Sequence, residues 1–349
     1  MEYILRNDLE YRLKTKNHYI AYFDILGYKN LVYQDKNFLE KVDHAMNQTK
    51  HDFVLIKKFL GLVLTETNIN YKVFSDNVIL FVECSDSPQI NIINLCTLIY
   101  CVKNIQLALV NNAGVFVRGA ITKGDFFYNS DFIYGKGLVE VTNLEKAAKY
   151  PRIVVDEKVV SDLDRFDFSE LEKGSFFDNI IKTQRAHYKD KLRDFIYYFN
   201  SEPKHCRLFE SFVPFGDETI CEFLDSIEWA TESANENDIN RAVAALKEFI
   251  RKIKDHGLYL SDNAFCVNYL NLGLKRTDCR WALLKCHQVI KKHLDSFNER
   301  IRFLKKHLDK YSPEDYTEIL SKYDWVKNYH NQAVESLNIE LLIVNDFYE

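Results

Sequence analysis

The sequence predicts an α+β fold, with a β-α-β-β-α-β core and a mainly helical second half, on three observations. Short runs rich in β-branched and aromatic residues, at 19–26, 69–74, 77–83, 115–122 and 126–134, are interleaved with longer stretches of helical periodicity. Ser75-Asp76-Asn77 separates two of these runs with residue types that tolerate positive φ, the signature of a tight hairpin. Beyond about residue 160, amphipathic helical spacing takes over.

Taken in order, residues 19–26 read as a buried strand that ends at Gly27, where a turn can form. From Asn37 to Leu60, apolar residues including Phe38, Val42, Ala45, Phe53 and Ile56 recur at helical spacing, and Gly61 supplies a stop. The hairpin 69–83 follows. Ser87-Pro88 then opens a helix from Ile90 to Val110 whose all-round apolarity places it centrally. Residues 115–122 and 126–134 read as further strands, and five of the eleven glycines fall between Gly114 and Gly137, a concentration of tight turns and close backbone approach. A helix from about Gly137 to Lys149 stops before Pro151, and Arg152-Ile153-Val154-Val155 adds a strand. This order predicts an antiparallel-rich sheet with helices on one face, and it sets the end of the first strand beside the hairpin.

The domain division follows: residues 1–160 as one α+β unit and 161–349 as an appended helical region packed on it. Within the second part, 239–256 carries an apolar face ending at Gly257, and Phe265 to Leu270 reads as a short strand. Residues 275–306 hold ten Lys or Arg against three acids, a local charge of +7 on a predicted pair of helices. A solvated face accounts for that charge, and a nucleotide or nucleic-acid contact is the sharper alternative. The cluster of Lys322 to Trp325 with Tyr329, His330 and Asn331 is expected to pack the helices onto the first unit, with His330 structural.

Composition narrows the function classes. With 47% hydrophobic and 28% charged residues the chain folds rather than staying disordered, and its net charge of −5 makes nucleic acid unlikely as an obligatory partner. The first residues lack an apolar signal region and no run of about 20 apolar residues follows, so a cytoplasmic location without membrane attachment is expected. Eight cysteines without a Cys-x-x-Cys pair read as reduced thiols, and Cys279, Cys286 and His287 lack a fourth zinc ligand at a recognisable spacing.

The chemistry-bearing residues are Asp24 and Asp76, each set at a turn inside an apolar strand pattern. Burying an aspartate costs several kcal/mol unless something compensates, and a hard cation such as Mg2+ does so through oxygen ligands. Capping a helix and shaping a hairpin is the plainer role for the same two residues.

Four segments carry a family resemblance over roughly residues 18–160: Phe23-Asp24-Ile25-Leu26-Gly27-Tyr28, Lys72-Val73-Phe74-Ser75-Asp76, Arg118-Gly119-Ala120-Ile121-Thr122-Lys123-Gly124, and Tyr134-Gly135-Lys136 through Leu144-Glu145. In this order they resemble the first-strand metal motif, hairpin, glycine-bearing strand and following helix of class III nucleotidyl cyclase catalytic domains, within the wider palm-like group. The resemblance implies a ferredoxin-like or palm core, Mg2+ or Mn2+ held by Asp24 and Asp76, and an NTP converted to a 3′,5′-cyclic nucleotide and pyrophosphate. It implies phosphate contacts from the backbone of Ile25, Leu26, Gly27 and Tyr28, a base contact from Lys72, and a homodimer with sites between subunits. Where the family places an Asn and an Arg that stabilise the transition state, this chain has Val139 and Asn143. Arg118 or Lys136 is then the expected source of positive charge. Soluble bacterial antiphage cyclases of this broad group suggest the biological setting. The same departures leave two further readings: a noncatalytic nucleotide-binding sensor, and a palm-type enzyme that links nucleotides.

Overall fold

A computed structural model describes residues 15–47, 49, 69–169, 247–270, 280–307, 310–336 and 343–344. Its elements are β1 (Lys16–Ile25), α1 (Tyr28–Gln34), α2 (38–47), β2 (Asn70–Phe74), β3 (Asn77–Glu83), α3 (Pro88–Ala108), β4 (Val117–Tyr128), β5 (Ile133–Tyr134), α4 (Lys136–Ala147), β6 (Ile153–Val155) and α5 (Glu157–Arg165). After them come α6 (247–256), β7 (Leu258–Ser261), β8 (Ala264–Val267), α7 (Arg280–Lys306) and α8 (Pro313–Ser336).

The sheet runs β2-β3-β1-β4-β6-β8-β7, with β5 paired to β4 off that path. Its first four strands are mutually antiparallel, β1 lying between β3 and β4. With helices in both connections, β1 to β2 and β3 to β4, this is the β-α-β-β-α-β plan of a ferredoxin-like or palm-like α+β fold. β6 then pairs parallel to β4, and the β7–β8 hairpin from the second half extends the same sheet through Val154 opposite Cys266.

Alternation along β1 explains the layers. Tyr19, Ala21, Phe23 and Ile25 enter one core with α3, α5 and α6, whereas Ile20 enters another with Ala120, Phe126 and Val154. That second core is covered by α4 through Val141, Leu138 and Leu144. The expectation of helices on one face is therefore corrected: apolar residues alternate onto both faces of β1, β3 and β4, so each face needs a cover.

Helix α3 starts where Ser87 Oγ accepts the Ile90 amide at 3.3 Å and Pro88 takes the first turn. With the π turn Leu109–Ala113 that continues it, it is the one helix among the described residues long and apolar enough to cross a membrane, and it lies buried in the core. The π turn ends at Gly114, φ 62°, leaving carbonyls that α7 satisfies. Arg300 donates from Nε to the Gly114 oxygen at 2.6 Å and from Nη2 to the Ala113 oxygen at 3.2 Å, and Ser296 Oγ donates to the Val110 oxygen at 2.8 Å. The basic stretch expected as two helices contains the single 27-residue helix α7, with neither Gly nor Pro to break it, and one of its arginines is a buried anchor.

Helices α7 and α8 build a separate core with Leu107, Val110 and Phe116, against which Leu26 also packs. Inside it His293 and His330 are fully buried with Nδ1 atoms 3.0 Å apart, and His293 Nε2 lies 2.9 Å from the Tyr269 hydroxyl. Burial first, then the neighbouring His330, hold the His293 pKa well below 6.5. A neutral imidazole in the fold and a protonatable one in the unfolded chain make stability complete above about pH 6.5 and progressively lost below it. The expected result is an acid-side fall in melting temperature that His293→Gln removes, read by circular dichroism between pH 7.5 and 5.

Candidate functional site

Register places Asp24, Arg118 and Lys72 on the α4 face. One row across the sheet reads Phe74, Asn77, Asp24, Arg118, and the next reads Lys72, Ile79, Tyr22, Ala120. Helix α4 packs on β4, β1 and β6. Toward β2 and β3 the neighbouring wall is the turn after β4. Tyr128 packs its ring 4.5 Å from that of Phe81, and Lys72 Nζ donates to the carbonyls of Asn129 (2.7 Å) and Ser130 (3.3 Å). Lys72 is thus on the same face as Asp24, one row on and with β3 between them, and its ammonium is held by that turn.

Asp24 sits on the last turn of pleat before β1 ends. Its Oδ1 is buried without a hydrogen-bond partner, and its Oδ2 lies 3.5 Å from Arg118 Nη2. Burial pushes its pKa up to about 6; Arg118 opposes the shift, while Glu145 and Asp76 add to it. Asp76 follows Ser75, whose φ of 60° makes the turn. The Asp76 carbonyl accepts the Ile25 amide at 3.0 Å, which pins the hairpin to the end of β1. Its Oδ1 accepts from Asn77 Nδ2 at 3.0 Å, and Asn77 Oδ1 accepts from the Tyr22 hydroxyl at 2.5 Å.

Arg118 is engaged more by Glu145 than by Asp24. Its Nε donates to Glu145 Oε1 at 2.7 Å, and Glu145, projecting from α4, is nearly buried. Glu145, Tyr22 and Asn77 were not singled out from sequence. Glu145 sits at the end of a quoted segment, but nothing in spacing says that its carboxylate meets a strand arginine.

Two phosphate contacts expected from backbone amides are not available. The Ile25 amide is bonded to the Asp76 carbonyl and the Leu26 amide to the Phe116 carbonyl at 3.0 Å, because the chain is still pairing with its neighbours there. Gly27, φ 75°, is where it turns into α1, and Tyr28 packs edge-on against Phe38. Lys136 is exposed at the first position of α4, and Val139 (60% exposed) and Asn143 lie on that helix's solvent side. Cys279 lies outside the described residues, as does the Cys286 side chain, while His287 is exposed.

The fit to a divalent cation can be tested on these groups. Among the described residues no cluster of three or more His, Cys, Asp or Glu forms a ready-made cage. Two carboxylates with phosphate oxygens are, however, a usual Mg2+ environment, and a buried carboxylate oxygen with no donor opposite it is the atom a cation would complete. The residues fit a metal carried in with a nucleotide.

No described protein family and no curated protein matches the sequence. Among solved structures the chain is similar to the guanylate cyclase domain of RhGC from Catenaria anguillulae in complex with GTP, at 11% identity and a TM-score of 0.31 over 44% of this chain and 85% of that one. It is also similar to a class III adenylyl cyclase-like ATP-binding protein from Pseudomonas aeruginosa, at 10% identity and a TM-score of 0.29 over 84% and 72% respectively. At these values the likeness decides nothing about chemistry, and the site stands on its own geometry.

Proposed function

We propose that this chain binds a nucleoside triphosphate over the α4 face near Asp24 and, with Mg2+ or Mn2+, converts it to a 3′,5′-cyclic nucleotide and pyrophosphate, acting in defence against phage. The observation that carries the reading is the buried, unpartnered Oδ1 of Asp24 next to Asp76, an unfavourable arrangement unless a cation completes it. Asp24 and Asp76 hold the metal, which when bound lowers the pKa of the ribose 3′-hydroxyl and neutralises the leaving pyrophosphate. Lys72 contacts the base. Lys136 approaches phosphate, and Arg118, whose link to Asp24 is longer than those to Glu145, turns Nη1 to phosphate while Glu145 retains Nε and Nη2. The unit is residues 1–160, the remainder to 349 is a mainly helical appendage that also adds β7 and β8 to its sheet, and a cytoplasmic homodimer brings α4 of one copy to the site of the other.

A second reading has support of its own. Val139 and Asn143 cannot supply transition-state charge, and Arg118 is already ion-paired, which suits a noncatalytic nucleotide sensor. Incubating the protein with each NTP and Mn2+ separates the readings. The expected result is pyrophosphate and one cyclic product from a preferred NTP, with turnover falling on the acid side as protons compete with the cation for Asp24. Binding without pyrophosphate from any NTP would sink catalysis and leave the sensor; a linked dinucleotide would favour an intermolecular palm-type reaction.

A further inference from the structure

We propose that Tyr22 and Asn77 form a positioning relay for Asp76, fixing the direction in which its carboxylate meets a divalent cation. The inference rests on the metal-binding reading of Asp24 and Asp76 and adds two residues to it.

The relay is directional. The phenol donates to the Asn77 amide oxygen at 2.5 Å, and that amide's Nδ2 donates to Asp76 Oδ1 at 3.0 Å. An amide offers an acceptor on one side and donors on the other. Occupied on its oxygen by the phenol, Asn77 must present N–H to the aspartate, and a flipped amide would set its oxygen against a carboxylate oxygen. Tyr22 is on β1, whose backbone is hydrogen-bonded on both sides, so the phenol is anchored to the most rigid part of the sheet. Asp76, in contrast, is on the turn between β2 and β3, which is held to β1 by the Ile25 amide and by the pairing of Asn77 with Asp24. The relay therefore carries the order of the central strand out to a carboxylate that a turn would leave free to rotate. Tyr22 and Asp24 project to the same face, two residues apart on one strand, so the phenol that orients Asp76 and the carboxylate that shares its cation move as one body.

Partners that orient a ligand group matter to metal affinity: removing one typically weakens binding by about 10- to 100-fold. The test is Mn2+ titration of the full chain by electron paramagnetic resonance, with melting temperature recorded alongside. Tyr22→Phe keeps the ring and its packing and removes only the donor. It should weaken Mn2+ binding about tenfold, with a melting temperature within about 3 °C of wild type, the size of shift one half-buried hydrogen bond produces in a chain of this length. Combined with Asp76→Asn it should add nothing further, because Tyr22 acts through Asp76. Asn77→Ala is the second variant, expected to match Tyr22→Phe.

The outcomes separate cleanly. If wild type binds Mn2+, Asp76→Asn weakens it and Tyr22→Phe does not, the relay is overturned and the metal reading stands. A Tyr22→Phe protein that loses melting temperature but keeps wild-type Mn2+ affinity assigns these bonds to hairpin stability alone and also overturns the relay. If wild type binds no Mn2+, the metal reading fails and the relay with it.

Discussion

Asp76→Asn and Asp24→Asn are each expected to lower turnover of the preferred NTP by roughly 10³-fold, the scale set by losing one group that organises charge in a transition state. Stability should respond in the opposite sense or not at all. At pH 7.5 Asp24 is an ionised carboxylate whose burial is unfavourable and whose Oδ1 meets no donor, so a neutral amide of the same shape relieves a penalty. At position 76 the side-chain oxygen that accepts from Asn77 survives the change to amide, so the hairpin keeps its bond. The measurement is pyrophosphate release with Mn2+ beside thermal melting of the same preparations. Equal trace turnover in wild type and both variants would remove catalysis from the account. A melt that collapses in either variant would instead show that the aspartates are structural, the plainer role that turns and strand ends always offer.

The face pattern explains what could be read in advance. Asp24 and Asp76 stood out because each interrupts an apolar run, and an interruption is visible in one dimension. That they occupy neighbouring strands followed from element order, since β1 lies beside the hairpin whenever the β-α-β-β-α-β plan holds. Glu145 was hidden for the converse reason. It sits on a helix among residues of ordinary helical periodicity, and its meeting with Arg118 depends on how α4 crosses the sheet, a packing property with no sequence period. The same cause underlies the misplaced helix layer, because α4 could satisfy its apolar stripe on either face and only the even residues of β1 chose between them. The amides of Ile25 and Leu26 were misjudged at the level of single hydrogen bonds. The resemblance implied them as phosphate donors, whereas both already donate to the carbonyls of Asp76 and Phe116. The hairpin β7–β8 was read as one short strand because its first half, Leu258–Ser261, follows directly on a helix stop at Gly257. Within the +7 stretch Arg300 caps carbonyls at the end of α3, a role that total charge cannot distinguish from solvent exposure.

Arg118→Met should cost about 3 kcal/mol of folding stability, the lower end of what breaking a buried pair costs, since the guanidinium is partly exposed. Glu145 is the reason. It is nearly buried on α4, and without Arg118 it loses that cation and is left to repel Asp24. The loss should shrink on acidification: Asp24, already raised to about 6, loses with Arg118 the charge that opposes the shift, so the folded state takes up that proton more readily than the unfolded chain and recovers stability as pH falls from 7 toward 5. Arg118→Lys should fall between, because one ammonium cannot bridge Glu145 and Asp24 as a guanidinium fork does. Mn2+ then supplies the decisive comparison. If the cluster is a cation site that Arg118 partly neutralises, Mn2+ will raise the melting temperature of Arg118→Met by more than it raises that of wild type, through the ordinary linkage between binding and folding. An equal, negligible response in both proteins would mean that Arg118 is itself the cation this site was built around.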